Sequence, residues 1–430
     1  MSTLFKHRLL SCVVGLLSAL SAVSGVQAEI DLPAGRAEKV GMSTQRLSRI
    51  NEVMARHIEA GNITGAVTAV ARRGKIVHFE AHGFSDLDKK TPMSKDSLFR
   101  MASSSKPVTG VAVLMLVEEG RIRLSDPVSQ YIPEFKNMKV AVPKAGQAEP
   151  TAPRGPNSPK PEIDLVPASR EITIKDLMTH TSGLLSGGLG AAVSDVQRQP
   201  TETLATYIPK LGSVPLDFQP GTRWRYSPGA GIDTLGRIVE IASGMTFDKF
   251  LSERIFEPLG MRNTFFNVPD SERSRLLPLY RRAGSEWQKA DNPAFLNTRT
   301  YFSGAGGLVS SAEDYIRFEQ MLLNRGELNG KRLLGSKTVE LMGMNHVGDL
   351  YKGIRGGDEG VGFGLTVYVT VDEAKAPTWR SKGSFGWAGA FGTITWNDQQ
   401  EELVGVLMIQ QPNTQVQRDF HTAVMQAIVD

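Results

Sequence analysis

Ser103 and Lys106 stand three residues apart in the stretch Phe99-Arg-Met-Ala-Ser-Ser-Ser-Lys-Pro-Val-Thr109. Residues at i and i+3 share a helix face, so a serine hydroxyl and a lysine amine at this spacing converge on one point. A serine hydroxyl is a weak nucleophile until a neighbouring base takes its proton. Ser-x-x-Lys supplies both parts within one helical turn. The same residues would also serve as a helix cap and a solvated first-turn charge, so a chemical role for the pair depends on partners elsewhere in the chain.

Two such partners are needed for acyl transfer: a second proton relay and a pair of donors for an oxyanion. Tyr226 is the relay candidate. It lies in Trp224-Arg-Tyr-Ser-Pro228, after a Pro220-Gly-Thr turn and before a helix. A phenol ordinarily titrates near ~10, and a neighbouring Lys106 is expected to favour its ionised form. The oxyanion candidate is Gly383-Ser-Phe-Gly-Trp-Ala-Gly-Ala-Phe-Gly392, on or before a strand. Its small residues let backbone approach a ligand closely. Trp387, Gly389 and Ala390 lie within it.

Other chemistries lack their parts. No Gly-x-Ser-x-Gly elbow is present. His78-Phe-Glu-Ala-His82 is not in the His-Glu-x-x-His order of a zinc helix. It reads as a strand on which residues 78, 80 and 82 form one polar face. No glycine-rich phosphate loop follows a strand, so neither a metal nor a cofactor is expected. The single cysteine, Cys12, falls in a segment read below as removed, which excludes a disulfide and a cysteine nucleophile.

That segment is Met1–Ala28. Lys6, His7 and Arg8 precede an apolar run from Leu9 to Val23 and a small-residue site at Val26-Gln27-Ala28, the order of a secretory signal. Export to a periplasm or outside the cell is expected. The remainder, about 400 residues, fits one large domain or two intimate lobes. The formal charge of +4 falls by the charges of Lys6 and Arg8 when the signal is removed, which leaves no footprint for nucleic acid. No later apolar run is long enough to anchor the chain in a bilayer.

The elements that must position these residues follow from periodicity. Ser43 caps a helix to about Ala60, with Leu47, Ile50, Met54 and Ile58 on one face. Strand-like runs at Gly65–Ala71 and Lys75–Gly83 flank an Arg72-Arg73-Gly74 turn. Val108, Val111, Leu114, Met115 and Val117 mark the helix that follows Ser103, and Gly120 marks its stop. Residues 143–163 form a proline-rich surface excursion. Helices are expected at Ile172–Met178, Thr201–Pro209, Thr234–Ser243, Phe247–Ile255 and Ser311–Asn324. Three strands follow at Gly362–Thr370, Gly389–Trp396 and Glu402–Ile409, then a closing helix at Phe420–Ile428. The fold expected is α/β of the α+β type. An antiparallel sheet comes from the N- and C-terminal parts, flanked by helices, with a mostly helical lobe over roughly 121–300 beside it. A cleft between the two would hold the site. The 143–163 excursion, the glycine loop at 183–190 and Gly353–Gly362 are expected to border it.

Taken in order, Ser103-x-x-Lys106, Tyr226-Ser-Pro and Trp387-Ala-Gly resemble the motifs of the serine β-lactamase/penicillin-binding-protein superfamily. The pattern is most similar to its class C β-lactamase-like esterases, the family VIII carboxylesterases. The likeness extends through Ile172–Leu184, Leu235–Glu240 and Gly304–Ser310, and covers nearly the whole chain from Ser43. The resemblance implies a β-lactamase/transpeptidase-like fold and an acyl-enzyme on Ser103. Lys106 and Tyr226 would activate the serine and shuttle protons, and the backbone N–H groups of Ser103 and Ala390 would form the oxyanion hole. It also implies a small-molecule ester substrate.

Two departures bear on substrate. Pro228 stands where β-lactamases of this type carry the asparagine of Tyr-x-Asn. Trp387 stands where they carry the lysine of Lys-Thr-Gly, which pairs with a substrate carboxylate; an indole cannot. Trp387 offers an apolar wall instead. Both changes favour a short-chain carboxylesterase. A β-lactamase (alone or combined with esterase activity), a D-amino-acid peptide or oligoamide hydrolase, and an inert penicillin-binding-type protein are the alternatives. Retention of Ser103, Lys106 and Tyr226 together argues against the last.

Overall fold

The computed structural model describes residues 32–145, 159–284, 286–290, 299–354 and 356–430. The signal segment and the middle of the 143–163 excursion lie outside the described residues. Eight strands build one antiparallel sheet: β1 (Gly65–Arg72), β2 (Lys75–Asp86), β3 (Thr91–Pro92), β4 (Val361–Phe363), β5 (Tyr368–Thr370), β6 (Phe385–Ala388), β7 (Ile394–Asp398) and β8 (Leu403–Met408). Their spatial order is β4-β5-β6-β7-β8-β1-β2-β3. The C-terminal strands therefore join the N-terminal ones through β8 and β1, as in the register pair Ala69↔Val406. This is the mixed α/β architecture expected, with helices flanking the sheet.

The two central strands are apolar almost throughout because both of their faces are covered. Val67, Ala69 and Ala71 of β1, with Val404, Val406 and Met408 of β8, enter the larger core. Ala66, Val70, Leu403 and Leu407 point the other way, into a second core. Helices α1 (Arg49–Glu59) and α5 (Thr414–Met425) close that second core through Ile50, Met54, Val416 and Phe420. On the opposite face lie α2 (Lys106–Glu118), α3 (Ala230–Ser243) and α4 (Ala312–Leu323). Gly405 sits where a Cβ would come within 2.3 Å of the Trp396 ring, so the sheet needs a glycine there to seat the indole.

Several boundaries differ from the sequence expectation for local reasons. The Gly362–Thr370 run is two strands, because Gly364 N–H donates to Val367 O at 2.7 Å and Thr366 turns with φ +68°. The turn seats Thr366 against Gly110 of α2, where a Cβ would meet its Oγ1 at 2.2 Å. The expected strand at Gly389–Trp396 begins with a turn: β6 ends at Ala388, and Gly389 N–H donates to Thr393 O at 2.8 Å. The closing helix starts at Thr414, because Asn413 Oδ1 accepts from the Gln415 and Val416 amides; its polar first turn hid the start. The first helix is split at Ser48, with Ser43 capping the short Thr44–Leu47 segment. Leu204–Tyr207 passes into a 3-10 turn over Ile208–Ser213. The ends of the proline-rich excursion are a paired ribbon, Lys139–Pro143 with Ile163–Pro167. A second ribbon pairs Leu279–Ala283 with Glu286–Ala290.

Candidate active site

Ser103 lies in a 3-10 turn, Ala102–Ser105, that leads directly into α2. Ala102 holds φ +45°, a left-handed conformation that costs a side-chain-bearing residue on the order of 1 kcal/mol. The surroundings fix it. The strand pair Phe99–Arg100 and Val309–Ser310 precedes the turn, and Met101 N–H donates to Leu308 O at 2.9 Å. On the other side the Ser104 and Thr393 hydroxyls lie 2.9 Å apart. Gly389 fits only because it has no side chain: a Cβ would stand 2.2 Å from Met101 O and 3.2 Å from Ser104 Oγ. The β6–β7 turn, with half-buried Gly389 and exposed Ala390, is thus pressed against the Ser103 turn.

Lys106 and Tyr226 converge on the half-exposed Ser103 hydroxyl. Lys106 Nζ is 3.2 Å from Ser103 Oγ, and the Tyr226 hydroxyl donates to the same oxygen at 2.7 Å. Lys106 is fully buried, and Nζ also donates to Pro228 O at 2.9 Å and Ala305 O at 2.7 Å. Burial pushes the lysine pKa down to about 7, against the pull of Asp233. A neutral amine has two N–H groups and one lone pair. Two carbonyl oxygens can only accept, so they take the N–H groups and leave the lone pair to the Ser103 O–H.

Tyr226 departs from the ionised form expected. Burial pushes its phenol up to about 12, outweighing its hydrogen bond to Ser103 and the nearby Trp387 indole. Lys106 Nζ lies 5.1 Å from the centre of the Tyr226 ring. The phenol therefore stays protonated and donates.

Trp387 is 2 % exposed. It packs in an aromatic cluster with Phe363 and Tyr351, flanked by Tyr226 and Trp224. Its ring centre is 5.8 Å from that of Tyr226 and 5.4 Å from that of Phe363. It backs Tyr226 and leaves little indole open to a ligand.

Three supporting groups were not assigned from the sequence. His180 turns with φ +56°, and its Nδ1 accepts from Ser227 N–H at 3.3 Å. Its ring centre stands 4.8 Å from that of Tyr226. Burial, and secondarily Lys106, hold the imidazole uncharged. Asp233 is buried in the first turn of α3. It accepts from Ala305 N–H at 2.9 Å, Ser303 Oγ at 2.8 Å and Tyr301 OH at 2.9 Å. Because Ala305 O receives Lys106, the carboxylate holds the lysine through a single residue, Ala305. The third is the Pro228 carbonyl: the residue at the asparagine position contributes through its backbone. Placing the helix start at Thr234 left Asp233 outside the helix; an acid inside the first turn of an apolar helix would have signalled a buried role.

The loops expected to border the site meet it in part. Leu184 O of the glycine loop accepts from Ser227 Oγ at 2.8 Å, and Val361 of the Gly353–Gly362 segment packs on the Trp387 aromatic cluster. A cavity of about 880 Å³ lies at the far end of α2 by Val117 and Gly120, and none of these groups line it.

The beta-lactamase family model matches residues 50–429. The chain belongs to the beta-lactamase family. It is 30% identical over 387 residues to Esterase EstB of Burkholderia gladioli, covering 84% of this chain and 89% of that one. It is 35% identical over 373 residues to Protein Rv1367c of Mycobacterium tuberculosis (strain ATCC 25618 / H37Rv), covering 84% and 89%. Among solved structures it resembles EstCE1, a hydrolase with promiscuous acyltransferase activity, with TM-score 0.74, 26% identity and coverage of 88% and 98%. The chain is a serine hydrolase of this superfamily, with a family VIII esterase-like relationship. No helix among the described residues is long and apolar enough to cross a membrane.

Proposed function

We propose that the chain is an exported carboxylesterase that hydrolyses short-chain esters through an acyl-enzyme on Ser103. The observation that carries this reading is the buried Lys106 amine, held by two carbonyl acceptors and placed 3.2 Å from Ser103 Oγ. In the acylation step, Ser103 Oγ attacks the ester carbonyl as Lys106 takes its proton. The carbonyl oxygen becomes an oxyanion held by the backbone N–H groups of Ser103 and Ala390. The Tyr226 phenol gives its proton to the departing alkoxide and recovers one from Lys106. Water then attacks the acyl-enzyme, Lys106 and Tyr226 again moving the proton, and releases the carboxylic acid.

Substrate class follows from the residues beside this centre. With Trp387 at the lysine position and Pro228 at the asparagine position, no cation or side-chain amide from either motif meets a β-lactam carboxylate or amide. An uncharged acyl group needs neither. Similarity to Esterase EstB supports the same class. The test gives purified enzyme p-nitrophenyl acetate and butyrate beside a chromogenic cephalosporin. Esters should be cleaved and the cephalosporin spared, and Ser103→Ala should abolish ester cleavage. Equal ester cleavage by Ser103→Ala and wild type would refute the mechanism. Cephalosporin cleavage without ester cleavage would refute only the substrate assignment.

A further inference from the structure

A second buried cation lies on the α5 face of the sheet, away from Lys106. Arg380 is 3 % exposed. Its guanidinium stacks 4.7 Å from the Trp396 ring centre and 5.1 Å from that of Tyr368, and Nη1 donates to the Tyr368 hydroxyl. Nε has no hydrogen-bond partner, and no described carboxylate forms an ion pair with this arginine, the buried Glu319 carboxyl being within its electrostatic reach only. An arginine cannot discharge itself by releasing a proton. Buried charges are normally paired, and ring faces stabilise a cation without neutralising it. Arg380 has the surroundings of one half of an ion pair.

The space beside it is a cavity of about 170 Å³, lined by Arg380, His421, Tyr368, Thr370, Asp358 and Arg418. His421, from α5, is 2 % exposed, and its Nε2 also lacks any partner. Two almost fully buried polar side chains with unmet hydrogen-bonding capacity thus line one small cavity. Arg418 is exposed and half-exposed Asp358 is within its electrostatic reach, so the lining keeps one net positive charge. The cavity adjoins the catalytic segment from behind. Tyr368 packs at a tilt against Trp387 with ring centres 5.7 Å apart, and Gln417 Nε2 donates to Gly392 O at 2.9 Å.

We propose that this cavity is a binding site for a small monocarboxylate. A planar carboxylate matches the guanidinium fork and takes a further hydrogen bond from His421 as its Nε2–H tautomer. One net positive charge matches one carboxylate, and the volume admits a short acyl chain. Short carboxylic acids are also the product class of the hydrolysis proposed above. That choice of acid rests on the esterase reading; the unpaired Arg380 and His421 do not.

Calorimetric titration with sodium butyrate, at constant ionic strength near neutral pH, tests the site without turnover, so its outcome is separate from that of the esterase assay. Wild type should bind one butyrate saturably. Affinity should fall about tenfold or more in Arg380→Gln and by a smaller factor in His421→Phe, the losses expected for one charged and one neutral hydrogen-bonding partner. Near-UV circular dichroism checks that each variant is folded. Should Arg380→Gln fail that check, His421→Phe decides alone. Absence of saturable binding to wild type would overturn the proposal, as would unchanged affinity in the folded variants, which would put butyrate elsewhere. Displacement of butyrate by equimolar inorganic phosphate would overturn the carboxylate assignment.

Discussion

Lys106 and Arg380 are both cations removed from water, and the protein treats them in opposite ways. Lys106 is met by two carbonyl oxygens, a serine hydroxyl and, through the backbone of Ala305, the Asp233 carboxylate. Arg380 is met by two aromatic faces and a phenol. A lysine can answer desolvation by giving up its proton, and burial brings its pKa down to about 7, where a base is useful. An arginine has no such exit: ring faces stabilise its charge, and only an anion neutralises it. Side-chain chemistry thus separates the proposed base from the proposed carboxylate site even where burial is nearly equal.

The comparison can be broken at each corner. Lys106→Met should have the largest effect, removing the base and leaving the Pro228 and Ala305 carbonyls unpaired; kcat/KM for p-nitrophenyl butyrate should fall by ~10⁴-fold. Arg380→Lys is the matched control, keeping the charge without the fork, and should leave ester hydrolysis within about threefold while weakening butyrate binding. Comparable losses of activity in the two variants would dissolve the distinction. Tyr226→Phe should lower kcat by ~10²-fold with little change in KM, because the phenol moves a proton rather than holding substrate. A rise in KM alone would recast it as a binding residue.

The pH profile sharpens the Lys106 side. Its neutral form is the active one, so kcat/KM should rise with pH through about 7, the value burial imposes. Asp233 pulls that value upward. Asp233→Asn should therefore move the ascending limb to lower pH, by about one unit, and lower kcat by about tenfold as Ala305 loses its anchor. A limb that stays in place or moves upward would show that the carboxylate does not act through Lys106.

Legibility in the sequence followed the range of each interaction. Ser103 and Lys106 were readable because their relation is local, one helical turn. Tyr226 and the Trp387–Ala390 segment were readable through their motif order. Partners made of backbone, the Pro228 and Ala305 carbonyls, leave no residue-type signature, since every residue carries the same carbonyl. Asp233 was hidden by a helix start misplaced from Ala230 to Thr234. The β6–β7 turn was hidden inside an apparently continuous strand, because the glycines that permit close approach also break the pattern. Ionisation of Tyr226 was misjudged because burial of the phenol, invisible in sequence, outweighs its charged neighbour. Arg380 and His421 meet only across the sheet, 41 positions apart in the chain, and nothing local marks either.

The central claim is that Ser103 carries the acyl group. Acid quenching of p-nitrophenyl acetate turnover during its first seconds, followed by proteolysis and mass spectrometry, would locate the acetyl group. The account predicts acetyl on Ser103 in wild type and its absence in Ser103→Ala. Acetyl on another residue, persisting in Ser103→Ala, would contradict it.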